Sequence, residues 1–257
     1  MRAYFESCLL LGKLLRGARY STTRVAATGS TVEVRKRREA YAPVLVALGE
    51  PVAWALDAGV IVLPQHSWEQ RERLLYERLY GQSIHVERHG TLVLPHLAGQ
   101  TLAAWLEDES LDSAARIHAI QLAATALAQF HAKGFTHADA MAENVMVDLD
   151  AGVARWFDFE TEHEPGRNEA WRRGDDIRAL IATCVLRSQR SDFASTIDCI
   201  LRSYANNSVL PHVAASFSQT TQRALAFHLG QAPVSYDTFQ EVGRLLHQRL
   251  GNGAFTV

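Results

Sequence analysis

The sequence predicts an α+β fold in two unequal lobes: a small strand-rich N-lobe with a helical insertion, and a larger, mainly helical C-lobe. Three observations predict it. Short runs with period-two alternation cluster before residue 95. A long Ala-rich segment over 112–133 reads as one helix, and two short strands follow it around Asp150-Ala151-Gly152. Beyond about residue 175 the pattern is helical throughout. At 257 residues and 47% hydrophobic, the chain can bury a core of the size this needs.

In the N-lobe, Arg24–Ala27 and Thr31–Lys36 flank Thr28-Gly29-Ser30 as strand, turn and strand. Residues 39–57 are apolar, interrupted by Gly49 and Pro51, and predict one or two short helices. Val60–Leu63 reads as a strand. Trp68–Tyr80 reads as a helix with Leu74, Leu75 and Leu79 at apolar positions, ended by Gly81. Ile84 and Val86 face Leu92–Leu94 across Arg88-His89-Gly90 as a hairpin.

From Leu97 onward a short amphipathic helix at 101–107 precedes the long helix at 112–133, with Asp112-Ser113 near its start and Gly134 past its end. Strands at Val145–Leu149 and Val153–Phe157 follow. Helices are predicted at 176–187, 191–204, 210–228 and 235–249, with Asn206-Asn207 and Gly230 among the separators. The chain shows no internal repeat.

Composition excludes several classes. The formal net charge is −2 from 26 basic and 28 acidic residues, so the molecule is no polycation for phosphate backbones, and it gives no strong nucleic-acid signal. Among the basic residues only Lys13, Lys36 and Lys133 are lysines. Cys8, Cys184 and Cys199 include no CxxC pair and cannot build a disulfide framework, so a cytoplasmic location is expected. The N-terminal apolar run is too interrupted for a signal peptide. The most membrane-like stretch, 42–64, carries Glu50, Pro51 and Asp57, so no transmembrane segment is expected. That stretch lies next to Arg35, Lys36, Arg37 and Arg38. Peripheral contact with the inner face of a membrane therefore stands as an alternative to ordinary packing, which is the favoured reading. His85 and His89 have no adjacent ligand cluster and do not make a zinc site. Nucleophile-elbow and dinucleotide fingerprints are absent.

The chemistry concentrates between Gly134 and Glu160. His137 and Asp139 lie in a polar loop after the long helix. Asn144 stands at the entrance to the strand pair and Asp158 at its exit, and antiparallel pairing brings those ends together. One amide oxygen and one carboxylate, completed by water and phosphate oxygens, suit Mg²⁺. A second carboxylate beside them, Asp139, can orient a hydroxyl and accept its proton. These are the parts of a phosphoryl-transfer site.

The pattern His137-x-Asp139-x4-Asn144, followed by Asp158-Phe159-Glu160, resembles the catalytic loop and metal-binding segment of the protein-kinase-like superfamily. It is closest in character to aminoglycoside and choline phosphotransferases and to bacterial lipopolysaccharide-kinase-like proteins. The resemblance implies a bilobal protein-kinase-like fold. It makes Asp139 the catalytic base or a substrate-orienting carboxylate, Asn144 and Asp158 the Mg²⁺ ligands, and His137 a brace for the loop. It implies ATP as phosphate donor, residues 1–94 as the nucleotide-clamping lobe, 95–97 as the hinge and 98–257 as the catalytic lobe.

Alternation in Val32-Glu33-Val34-Arg35-Lys36 puts Val32, Val34 and Lys36 on one face; with the valines toward the core, Lys36 emerges on the cleft side. The resemblance gives such a lysine the nucleotide phosphates, and with them a catalytic role, paired with a helical glutamate. Glu72 is the first choice because it shares a face with Leu75 and Leu79; Glu69 and Glu77 are the alternatives. The long interval from Lys36 to Glu72 makes residues 39–66 an insertion relative to the family. No GxGxxG precedes Lys36, which leaves backbone groups around 18–30 to cover the phosphates. At the hinge, Leu94, His96 and Leu97 would present the adenine contacts, since Pro95 has no N–H. Asp176, with Asp175 as an alternative, resembles the aspartate that opens a helix supporting the catalytic loop.

Only residues 161–175 separate Glu160 from Asp176, with no Ala-Pro-Glu-like anchor. Ala138 stands where regulated kinases commonly have an arginine that reads a phosphorylated loop. The implied acceptor is therefore a hydroxyl on a small molecule, sugar, lipid headgroup or lipid-linked saccharide. Arg167, Arg172 and Arg173 form either an anion-binding cluster or a solvated patch, the patch being slightly favoured. An atypical Ser/Thr protein kinase with a short activation segment, acting on a protein acceptor, and a nucleotide-binding pseudokinase module are the competing readings.

Overall fold

A computed structural model of the chain describes residues 21–28, 31–44, 46, 47, 54, 57–87, 90–218 and 234–251. The N-terminal run with Cys8 and Lys13, the turn residues Gly29 and Ser30, most of 48–56, His89, Gly230 and the far half of the helix expected at 210–228 lie outside the described residues. The fold is α+β, with a strand-rich N-terminal region and a helix-rich C-terminal region.

Strands β1 (Ser21–Thr28) and β2 (Thr31–Arg38) pair antiparallel along their whole length. β4 (His85–Glu87) and β5 (Thr91–Pro95) complete an antiparallel sheet in the order β1-β2-β5-β4. Lys36 sits opposite Leu92 on an interior strand and is 3% exposed. The expectation that both valines of its face are covered fails at one end. Val34 packs on the core, but Val32 lies beyond the β2–β5 ladder, whose last pair is Glu33 with Pro95, and is 44% exposed.

Helix α1 runs over Gln65–Tyr80, three residues earlier than its apolar periodicity signals, and ends at Gly81 in the left-handed conformation. Its buried face presents Trp68, Glu72, Leu75 and Tyr76. Strand β3 (Val60–Val62) does not join the N-terminal sheet. It pairs antiparallel with β9 (Thr161–His163), a strand with no apolar alternation to announce it. Leu63 N–H donates to Glu160 O (2.9 Å) and Glu164 N–H to Gly59 O (2.9 Å), extending that connection at both ends.

A second small sheet orders β6 (Gln100–Thr101), β7 (Val145–Asp148) and β8 (Val153–Trp156). Gly99 leads into β6 at φ 101°, and a Cβ there would meet Val147 O at 2.2 Å, so this close approach requires glycine. Helix α2 (Leu102–Glu107) starts at Thr101, whose hydroxyl accepts from Ala104 N–H. Helix α3 (Ser113–Ala132) is capped by Asp112 and packs on β8. Helix α4 (Glu169–Val185) is capped by Asn168, and every residue from Gly174 to Val185 is buried. α5 (Phe193–Tyr204), α6 (Leu210–Ser218) and α7 (Tyr236–Gly251) complete the described helices. The continuous core includes Leu102, Ile120, Leu127, Trp156, Phe159 and Ile177, each essentially fully buried. Each such side chain contributes roughly 1.5–3 kcal/mol through burial. No helix among the described residues is long and apolar enough to cross a membrane.

Asp176 does not open its helix, contrary to expectation. The cap at Asn168 starts α4 seven residues earlier, so the carboxylate projects from the helix interior and serves another segment of chain.

Candidate active site

The loop after α3 is held from below by one carboxylate. Asp176 accepts the backbone N–H groups of His137 and Ala138, both at 2.8 Å, and lies 2.8 Å from His131 Nε2. Burial alone would raise its carboxyl pKa, but the facing His163 and His131 more than offset this and hold it below the usual range. Ala138 takes a left-handed conformation, φ 67°, at this anchor. Asp175 has a different function: it meets His163 at 3.2 Å and pairs with Arg178.

His137 is fully buried and its Nε2 donates to Phe157 O at 2.9 Å, tying the loop to the residue before Asp158. Burial holds the imidazole pKa down at about 4, so the ring is neutral at pH 7. The short 3₁₀ turn Ala142–Asn144 is fixed by Ala142 N–H donating to Thr183 Oγ1 (3.0 Å). Phe157 N–H then donates to Asn144 O (3.0 Å), closing the strand pair at the point that brings Asn144 and Asp158 to the same end.

Asn144 Nδ2 donates to Asp139 twice, to Oδ2 at 2.8 Å and to the backbone carbonyl at 2.9 Å. The nitrogen is thereby committed, and Oδ1 is the atom left to face a cation. Burial raises the Asp139 carboxyl pKa well above its ordinary value, and the neighbouring Asp158 and Glu160 raise it further.

Lys36 Nζ lies at the centre of the acids. It pairs with Asp158 Oδ1, and lies 3.5 Å from Glu72 Oε1 and 3.6 Å from Glu160 Oε2. Burial lowers the ammonium pKa, yet Asp158, Glu72 and Glu160 outweigh it and keep the group above the ordinary lysine value. Glu72 is fully buried and its Oε1 also accepts from Trp68 Nε1 (3.1 Å) and Phe159 N–H (3.0 Å). Glu69 bonds Gln65 instead and Glu77 is exposed, so the structure selects Glu72 among the three candidates.

Between Asp158 and Glu160, Phe159 is fully buried. Its ring stacks on Phe130 of α3, centroids 5.8 Å apart and planes within 6°, and meets Tyr76 of α1 edge-on at 6.3 Å. Asp158 itself is at φ 68°, a turn that sends its side chain and the Phe159 ring in different directions.

The donor set fits a hard divalent ion sparingly. No group of three or more His, Cys, Asp and Glu residues arranged for a metal occurs among the described residues. One amide oxygen, Asn144 Oδ1, and one carboxylate, Asp158, are the groups that could serve as donors, a set that would suit an ion keeping waters and phosphate oxygens in its shell. Glu160 Oε2 is buried beside them without a hydrogen bond, facing only the Lys36 ammonium at 3.6 Å.

Leu94 continues the strand of Leu92, the partner of Lys36, and pairs with Val34; Leu97 is buried and His96 exposed where β5 gives way to the bend before Gly99. Two of the three arginines, Arg167 and Arg173, are held in ion pairs within the fold. Arg167 pairs with Asp57 and Glu164 and covers Trp171, while Arg173 pairs with Glu169 and donates to His131 O (3.0 Å). Sequence reasoning missed the approach of Glu160 to Lys36, although Glu160 shares a side with Asp158 by simple alternation. It also missed Arg71, which adjoins Glu72 on α1 and donates to Thr136 O at 2.7 Å.

Residues 78–195 match the lipopolysaccharide kinase (Kdo/WaaP) family, and this stretch is a protein-kinase-like domain resembling that family. The match supports phosphotransferase activity. It spans His137, Asp139, Asn144, Asp158 and Asp176, but not Lys36 or Glu72, whose pairing across 36 residues of sequence comes from the three-dimensional arrangement. No curated protein matches the chain.

Proposed function

We propose that the chain is an ATP- and Mg²⁺-dependent phosphotransferase that moves the terminal phosphate to a hydroxyl of a small molecule, sugar or lipid-linked saccharide. One observation carries the reading. Lys36, paired with Glu72 outside the family match, meets Asp158, while Asn144 and Asp139 are bonded to each other at the same end of that strand pair. Structural ion pairs explain either half alone; the convergence is what phosphoryl transfer uses.

In this reading the N-terminal strands and the helical region are two lobes, and ATP enters between them with adenine at Leu94, His96 and Leu97. Lys36 places a compact charge on the nucleotide phosphates and Glu72 fixes its direction. Asn144 Oδ1 and Asp158 hold Mg²⁺, which when bound neutralises charge on the phosphate oxygens. Asp139 takes the proton of the acceptor hydroxyl as its oxygen bonds to the terminal phosphorus and the bond to the bridging oxygen breaks. A carboxyl with a raised pKa is suited to receiving that proton.

The segment after Glu160 favours a non-protein acceptor. It is short, and one edge of β9 is already paired with β3. A cytoplasmic setting, with soluble or inner-leaflet hydroxyl compounds as acceptors, is part of the proposal and rests on the cysteine pattern of the sequence. The test is transfer of labelled terminal phosphate from ATP with Mg²⁺ to panels of sugars, amino alcohols and lipid-linked saccharides, against protein acceptors. Transfer to a hydroxyl compound that disappears in Asp139→Asn supports the proposal. Transfer to protein alone favours the protein-kinase reading, and nucleotide binding without transfer favours a binding module.

A further inference from the structure

Helix α1 carries two adjacent charged residues that reach two different parts of the site. Glu72 holds Lys36 and the backbone N–H of Phe159. Arg71, one residue earlier, donates from Nη2 to Thr136 O at 2.7 Å and pairs through Nη1 with Glu162 Oε1 at 3.2 Å. Thr136 immediately precedes His137, and Glu162 is the middle residue of β9, opposite Ile61. The guanidinium therefore joins α1, the root of the catalytic loop and the segment that follows Asp158.

A planar fork with five N–H donors can bond a backbone carbonyl and a carboxylate together, which a lysine ammonium does less well. The arginine side chain is 15% exposed and Glu162 46%, so water screens the ion pair more than the part-buried bond to Thr136. Two neighbouring contacts make the junction tighter: His163 Nδ1 lies 2.9 Å from Thr136 Oγ1, and Thr161 Oγ1 donates to His137 O at 3.5 Å. Ala138 offers no cation to this segment, and Glu162 supplies a fixed negative charge where a charge added by phosphorylation would be needed to order a loop.

We infer that Arg71 is a positioning residue: through Thr136 and Glu162 it locks the catalytic loop and the post-Asp158 segment against α1, so that the site is assembled without phosphorylation. The inference rests on the proposed phosphotransfer only for its effect on rate. The lock itself is a statement about which segments are held.

The experiment uses the full chain, purified unphosphorylated, as wild type, Arg71→Ala, Arg71→Lys, Glu162→Gln and the double variant Arg71→Ala/Glu162→Gln. Amide hydrogen exchange is followed over 136–138, 161–167 and, as a remote control, α7. Arg71→Ala should speed exchange in the first two segments and leave α7 unchanged. Its kcat should fall about tenfold while KM for ATP stays within about twofold, the loss of one charge-assisted hydrogen bond in the assembled site. Glu162→Gln, at a half-exposed position that folding tolerates, should lower kcat about threefold, and Arg71→Lys should recover part of the loss. The double variant should fall no further than Arg71→Ala, because both residues act through one contact. Unchanged exchange in both segments, or additive losses in the double variant, overturns the inference. If wild type transfers no phosphate, the functional proposal has failed, and the exchange pattern still decides the lock.

Discussion

Asn144 donates both of its amide hydrogen bonds to Asp139, at 2.8 Å to the side chain and 2.9 Å to the main chain. The residue that would hold the metal is thus the residue that orients the acid beside the attacking alcohol. In the proposed mechanism one side chain would therefore set the position of both metal and base.

Asp139→Asn keeps the size of the group and removes its capacity to take a proton. Transfer should fall about 10²–10⁴-fold, while the thermal midpoint and ATP binding change little. Rate assays, calorimetric nucleotide titration and a melting curve check this together; an active Asp139→Asn would remove the residue from proton transfer.

Asp158→Ala should act on binding as well as rate. Losing the carboxylate removes one of the two proposed donors to Mg²⁺ and one partner of Lys36. Nucleotide affinity measured with Mg²⁺ should approach that measured without it, whereas in the wild type the two should differ clearly.

Lys36→Met leaves Glu72 buried without its cation. Removing one partner of a buried pair costs about 3–5 kcal/mol, and Trp68 Nε1 and Phe159 N–H offset part of this through their bonds to the same oxygen. Adding Glu72→Gln should restore much of the stability and none of the activity. Denaturant unfolding of the single and double variants gives the comparison.

His137 makes stability depend on pH with a definite sign. Its folded pKa, about 4, lies below the ordinary 6.5. Between those values the unfolded chain binds the extra proton, so the contribution is complete above pH 6.5 and is lost as pH falls toward 4. The full swing is about 3 kcal/mol. Unfolding free energies at pH 5 and 7.5 should differ less in His137→Gln than in wild type.

Much of this site was legible because its parts lie close together in sequence. From His137 to Glu160, loop, strand pair and exit are contiguous, and antiparallel pairing alone fixes which ends meet. The Lys36–Glu72 pair was legible as a face of a strand and a face of a helix, but the choice among Glu69, Glu72 and Glu77 needed the helix to be seen rotated on its core. The β3–β9 pairing was not legible. Thr161-Glu162-His163 has no apolar alternation, and its strand conformation is imposed by a partner a hundred residues away. Asp176 was recognised but misplaced within its helix, because a cap at Asn168 followed by Glu169-Ala170-Trp171-Arg172-Arg173 reads as polar loop when burial is unknown.

The Phe159 ring bears on how this chain would respond to drugs. Inhibitors that select a state with this ring swung outward must empty the slot between Phe130 and Tyr76, at a cost of about 3–5 kcal/mol for vacating so large a volume. Compounds that leave the ring in place avoid that cost, and screening libraries should be weighted toward them.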